Sequence, residues 1–386
     1  MNFDVVIVGG GLVGASLALA LRETGLRIAL VDAQAVRPDT DAWDSRVYAI
    51  SPGSRAFLAS CGAWAGLDVA RLAAIEEMHI FGAEDGPELD FSAYDAGLPE
   101  LAVIAESGRL QSALWRALAD EPAVTVIAPV KCASLRLTPE EAVLELGDGK
   151  TLCASLVVGA DGGESWVRAQ AQIGVDLHVY HQRAVVANFS GDIPHRGVAY
   201  QWFRGDGVLA LLPLPGARAS MVWSCANPWA ARLTEMSAAE LAHCVTEATG
   251  GVMGELEVIT PAAAFPLRLQ RVERLVAPRV ALVGDAAHLV HPLAGQGVNL
   301  GFRDARVLAE VLAQRGLETD CGDYALLRRY ERARREDIAV MQWATDGLQK
   351  VFSSPYRGLA QLGNLALRIA NSQQQLKNLL VQHAVG

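Results

Sequence analysis

The sequence predicts an α/β fold in which a parallel sheet binds a dinucleotide, an antiparallel module is inserted, and helices close the chain. Three observations predict it. The chain opens on a strand, a glycine turn and a helix. A second buried strand near residue 280 ends in another glycine and an acid. Between them, residues 179–265 alternate as antiparallel strands do.

The opening stretch carries the most information. Phe3 to Val8 reads as a β-branched strand, and Gly9-Gly10-Gly11-Leu12-Val13-Gly14 leads into an Ala-rich helix expected to reach about Glu23. In Gly-x-Gly-x-x-Gly, Gly9 permits the tight turn, Gly11 lets backbone amides approach a pyrophosphate, and Gly14 lets helix and strand pack closely. The phosphates then face the positive end of the helix. A second strand, Arg27 to Val31, ends at Asp32, a carboxylate placed to accept from ribose hydroxyls. Val5 to Leu21 carries no charge, but it is shorter than the roughly 20 residues a spanning helix needs and has glycines at its centre. No Lys or Arg precedes it, so a buried strand and helix are expected, and a cytoplasmic protein.

At 386 residues the chain is long enough for more than one core, and 51% apolar with 20% charged residues is a globular balance. A net charge of −10 argues against non-specific nucleic-acid binding and against a polybasic membrane anchor. The six cysteines are scattered without a Cys-x-x-Cys pair, so neither a zinc site nor a disulfide framework is suggested. Asp285-x-x-His288-x-x-His291 has metal-ligand content, but Pro292 and the glycines after it disfavour a helical ligand face, and no metal is expected.

Further along, Ser51 caps a helix with Pro52 in its first turn, and Arg46 stands just before, among Asp39, Asp41 and Asp44. Arg46 either serves an anionic cofactor or pairs with those aspartates. Met78 to Phe91 suggests strands, Leu110 to Leu118 a helix, and Val143 to Leu146 with Thr151 to Val158 a hairpin. The second arm runs into Gly159-Ala160-Asp161-Gly162, an acid at a strand's carboxyl end. In the antiparallel block, Tyr200, Trp202 and Trp223 are aromatic candidates for a substrate face, with Leu211 beside them. Arg279 to Val283 is a buried strand ending Gly284-Asp285, and the loop through Gly297 opens a helix to Leu312. A long charged helix spans about Tyr324 to Val351. The stretch from Arg357 to Val385 is helical in pattern and sparsely charged: it packs on the body, or forms a docking face for a membrane or partner.

Gly9-x-Gly11-x-x-Gly14, Asp161-Gly162 and Gly284-Asp285, in that order, resemble the class A flavoprotein aromatic monooxygenases. Ser45-Arg46-x-x-Ala49-Ile50-Ser51, Leu209-Ala210-Leu211-Leu212-Pro213-Leu214 and Pro292-Leu293-Ala294-Gly295-Gln296-Gly297-x-Asn299 extend the resemblance to the ubiquinone-biosynthesis hydroxylases. It implies a Rossmann-like FAD-binding domain of the glutathione-reductase type over residues 1–75, 101–178 and 266–352. An inserted antiparallel-sheet substrate domain would take 76–100 and 179–265, and a helical tail 353–386.

It further implies that Gly9, Gly11, Leu12, Val13, Gly14 and Asp32 hold the ADP half of FAD, with Arg46 and Arg109 near the cofactor. Asp161 would lie near the pyrophosphate, and Gly284 and Asp285 at the ribityl chain. Pro292, Gly295, Gln296, Gly297, Val298 and Asn299 would face the flavin. NADH or NADPH would reduce FAD, O2 would add at flavin C4a, and the resulting hydroperoxide would hydroxylate the ring of a lipid-like, polyprenylated phenol. No catalytic acid or base is assigned, although His288 and His291 could reach a phenol. Ubiquinone-synthesis proteins or the inner-membrane surface are the expected partners, nucleic acid is not, and the protein would be cytoplasmic or peripheral at that membrane. A hydroxylase of small soluble phenols and a non-catalytic flavin-bearing subunit are the alternatives. An NAD-dependent dehydrogenase would leave Gly284-Asp285 and the antiparallel insert unexplained.

Overall fold

A computed structural model describes residues 1–35, 40–83, 86–291, 297–316 and 318–352 and, beyond these, Asn364, Arg368, Asn371 and Lys377. The fold is mixed α/β, and among the described residues it contains sheets of eight, nine and three strands.

In the first sheet Val124–Ile127, Ile28–Val31, Asn2–Val8, Thr151–Gly159 and Val280–Leu282 run parallel in that spatial order. Val5, Val6, Ile7, Leu30, Val157 and Ala281 are completely buried, as strands covered on both faces must be. The register decides the function of this sheet. Val8 pairs with Val31 and with Gly159, and Gly159 pairs with Leu282. Every strand therefore ends at one level, and the turns after them share one edge.

The helix after the glycine turn covers Leu12–Ala20, shorter than expected. Side chains end it: Arg22 donates to Leu19 O and Thr24 to Leu21 O, after which Gly25 takes φ +71°. The Ser51 cap and Pro52 start a helix at Pro52–Ser60 as anticipated.

The nine-stranded sheet is antiparallel except where Val198–Arg204 runs parallel to Glu77–Phe81. Helices Asn227–Glu235 and Ala238–Ala248 cover its outer face, the second through a Ser237–Glu240 capping box. The first of these helices was not anticipated. Boundaries expected at 178/179 and 265/266 fall inside two strands of this sheet, Val175–Gly191 and Ala263–Val272, which already pair at Val175 and Val272. His288–Leu289 joins the same sheet beside Gln270 and Arg271, linking the Gly284 turn to it. The long helix spans Tyr324–Phe352. Of the stretch beyond it, Asn364, Asn371 and Lys377 bond Ala83, Glu88 and Asp90, next to or on the Glu77–Phe81 and Glu88–Ser92 hairpin. The rest of the stretch expected to be helical there, except Arg368, lies outside the described residues.

Candidate functional site

The turns at the carboxyl edge converge. Gly9 has φ +108°, and a Cβ there would lie 2.4 Å from Ala160 O. A Cβ on Gly14 would lie 1.9 Å from Gly9 O, so only glycine admits this approach of turn and helix. Above Gly11 the space is open, and the helix it begins has no side-chain cap and no acid in its first turn. Leu12 and Val13 thus open a helix whose orphan N–H groups are left for a ligand, which fits the pyrophosphate of a dinucleotide. Trp115 donates to Gly10 O at 2.8 Å and fixes the turn.

Asp32 takes one backbone N–H on each oxygen, from Gly10 at 2.5 Å and from Gln34 at 2.6 Å. An ionised carboxylate has about four acceptor positions, so capacity for ribose hydroxyls remains. Asp161 accepts from Ser165 Oγ on one oxygen and from Val167 N on the other, which ties it to the turn and the short helix Trp166–Gln170 and, as at Asp32, leaves acceptor capacity. Arg168 then bridges the two motifs, donating to Gly163 O at 2.8 Å and Ala286 O at 2.9 Å.

Asp285 differs. Its side chain is solvent-accessible and makes no hydrogen bond among the described residues. The crowding of the surrounding cleft raises its pKa from the ordinary carboxylate value, while His288 and Arg46 lower it and Asp304 raises it. Arg46 therefore acts on the same cleft. Its guanidinium lies 5.5 Å from the ring centres of Tyr48 and Phe265 and has no ion pair among the described residues. Asp44, offered as its surface partner, instead accepts the backbone N–H groups of Arg46 and Gly108; Asp39 lies outside the described residues.

Glu106 holds this arm in place and was missed, because nothing in its local sequence marks it. Only 2% exposed, it accepts from Asp44 N at 2.7 Å and from Arg71 at 2.7 and 2.8 Å. Arg109, expected at the cofactor, is drawn into the same cluster, 3.2 Å from Glu106 and donating to Thr40 O. The charge of a buried carboxylate must be met, and the two arginines meet it. Arg109 thereby also ties down the loop that presents Arg46.

Asn299 also joins the elements behind the edge. Completely buried, it donates to Ala49 O at 2.8 Å and accepts from Ser51 N at 3.0 Å, which ties the helix Gly297–Ala313 to the strand Val47–Ile50. Gly297 and Val298 begin that helix, while Pro292, Gly295 and Gln296 lie outside the described residues. A Cβ on Gly301 would fall 2.6 Å from Val13, so the two helices meet closely behind the edge. His288 contacts the buried Asp304. His291 is fully buried beside the Tyr180 ring, both its nitrogens lack a hydrogen-bond partner among the described residues, and burial pushes its pKa down to about 4.

The four aromatic and aliphatic substrate candidates share the face that packs beneath the outer helices. Leu211 and Trp223 are 1% exposed in the core beneath the outer helices, and Tyr200 and Trp202 pack against that core. Successive side chains of a strand alternate in direction, so their neighbours point inward. There Ala210, Leu212 and Val222 stay partly open, and Asn188 reaches across to Asp44 O at 2.8 Å. The inner face, not the aromatic one, looks toward the carboxyl edge.

The sequence profile of a family described as FAD binding domain matches residues 2–344. The ubiquinone hydroxylase UbiL of Rhodospirillum rubrum is 36% identical over 402 residues, covering 99% of this chain and 89% of the relative. The 3-demethoxyubiquinol 3-hydroxylase of Escherichia coli is 34% identical, covering 99% of this chain and 98% of the relative. The human ubiquinone biosynthesis monooxygenase COQ6 is 32% identical, covering 99% and 92%. In fold, the chain resembles a p-nitrophenol 4-monooxygenase from Pseudomonas putida with a TM-score of 0.79 at 18% identity, over 100% of this chain and 99% of that one.

Proposed function

The chain belongs to the FAD binding domain family, and from that premise we propose that it hydroxylates the aromatic ring of a polyprenylated phenol or quinol in ubiquinone biosynthesis. The observation that carries this reading is the near full-length similarity to relatives bearing ubiquinone-hydroxylase names. When bound, FAD supplies the two-electron activation of O2, with NADH or NADPH as donor, that ring hydroxylation requires.

The chain's own residues supply binding, orientation and dryness. Gly9, Gly11 and Gly14 admit the pyrophosphate to the helix end, Asp32 takes a ribose, and Asp285 and Arg46 address the cofactor together. Asp161, Arg109 and Asn299 support these groups from behind. The ring enters between the carboxyl edge and the inner sheet face, where Ala210, Leu212 and Val222 exclude water. No helix among the described residues is long and apolar enough to cross a membrane. With a net charge of −10, the lipid-borne substrate is delivered by partner proteins or hydrophobic contact at the membrane rather than by a basic patch.

The test compares NAD(P)H oxidation and hydroxylated product for a prenylated phenol and its tail-less analogue. Each buried CH2 contributes about 0.8 kcal/mol, so even a short prenyl tail lowers KM by orders of magnitude. Equal turnover without the tail would replace this reading with a hydroxylase of soluble phenols.

A further inference from the structure

Behind the Gly284 turn lies a cavity of about 240 Å³, room for roughly eight waters. Its floor is Ala287 and His288, and its walls are the strand end Arg271–Leu275 and one face of the long helix. Arg328, Glu331 and Arg335 stand three and four residues apart, so they project from that single face.

The charge of this cavity is opposite to that of the chain. Arg271, Arg274, Arg328 and Arg335 line it against two carboxylates, Glu273 and Glu331. Glu331 is already committed, accepting Leu275 N at 2.9 Å and pairing with Arg328 at 3.1 Å. Arg271 reaches Asp346 only at 4.0 Å, and Arg274 reaches Gln172 O at 3.5 Å. Arg335 makes no ion pair or hydrogen bond among the described residues. Like charges gathered around a concavity repel one another unless an anion joins them.

We propose that this cavity binds a phosphate-bearing anion, with Arg274 and Arg335 as its principal donors. Both arginines are exposed at the mouth of the cavity, and the guanidinium fork matches two phosphate oxygens at once. The occupant is the phosphate portion of the nicotinamide donor or a free phosphate anion. Only the first source rests on the function proposed above; the anion chemistry does not.

The experiment titrates the FAD-loaded protein calorimetrically with inorganic pyrophosphate, NAD+ and NADP+ at low ionic strength, where charge is least screened. The wild type binds pyrophosphate. The Arg274→Gln/Arg335→Gln variant binds it at least about tenfold more weakly. The Arg274→Lys/Arg335→Lys variant retains part of the affinity. Unchanged flavin absorbance and melting temperature show that the variants fold. A parallel loss for NAD+ or NADP+ identifies the donor as occupant, and a loss for pyrophosphate alone identifies a free anion. Absence of pyrophosphate binding to the wild type, or equal binding to all three proteins, overturns the proposal. These readouts are binding, so a wild type that failed to hydroxylate a prenylated ring would count against the proposed function and leave this outcome intact.

Discussion

His288 lies 2.6 Å from Oδ2 of Asp304, the same oxygen that accepts the backbone N–H of Gly284 at 2.9 Å. The other oxygen accepts from Arg334 at 2.8 Å. One fully buried carboxylate on the helix Gly297–Ala313 thus holds both ends of the turn that carries Asp285.

Removing it should loosen that turn. Burial alone would raise the pKa of Asp304, but His288 and Arg334 hold it below the ordinary carboxylate value. A carboxyl with a depressed folded pKa stabilises fully above its unfolded value of about 3.9, and the contribution is lost as pH falls through the folded value. Asp304→Asn should cost about 1.5–3 kcal/mol, because buried Arg334 loses its charge-assisted bond to Asp304 although Asp337 still pairs with it. Thermal melts from pH 7 down to 3 check both points: the variant should melt lower and lose part of the acid dependence. An unchanged melting temperature would refute the role.

Asp285 should behave in the opposite way. Its side chain is accessible and unbonded among the described residues, so Asp285→Ala should leave the melting temperature of the apoprotein nearly unchanged. Losing a charge-assisted hydrogen bond to the cofactor costs about 1.5–3 kcal/mol, or roughly 10- to 150-fold in FAD affinity. Flavin fluorescence titration of the two apoproteins measures this, and equal affinities would remove Asp285 from the site.

For Arg46 the informative variant is lysine. With no ion pair to lose among the described residues, Arg46→Lys should change stability by less than about 1 kcal/mol. Lysine keeps the charge but lacks the planar fork. Flavin reduction by NAD(P)H or FAD affinity should therefore fall while the melting temperature holds. Wild-type turnover and affinity would assign Arg46 to the surface.

The two faces of the antiparallel sheet separate stability from catalysis. Leu211→Ala, in the outer core, should cost about 2–5 kcal/mol in a denaturant titration while the KM of the folded fraction stays the same. Val222→Phe, on the partly open inner face, should raise the KM for the ring substrate with little change in melting temperature. The reverse pattern would mean that the aromatic face binds substrate.

Much of the site was legible because its information is local. The glycine spacing, the strand before it and the acids after Val31 and Leu282 each follow from short-range backbone requirements, and in-register parallel strands bring their ends together without further specification. The sequence by itself therefore determined the dinucleotide edge, the parallel sheet and the presence of an antiparallel insert. Tertiary structure alone decided the division of labour at that edge. Asp161, Arg109 and Asn299 also bind Ser165, Glu106 and Ala49, and the last of these contacts crosses between segments far apart in the chain. The aromatic alternation at Tyr200, Trp202 and Trp223 marked one face correctly but could not tell which. An alternating strand reads the same whether helices or a cleft cover its apolar side, and the covering helix Asn227–Glu235 is what settles it.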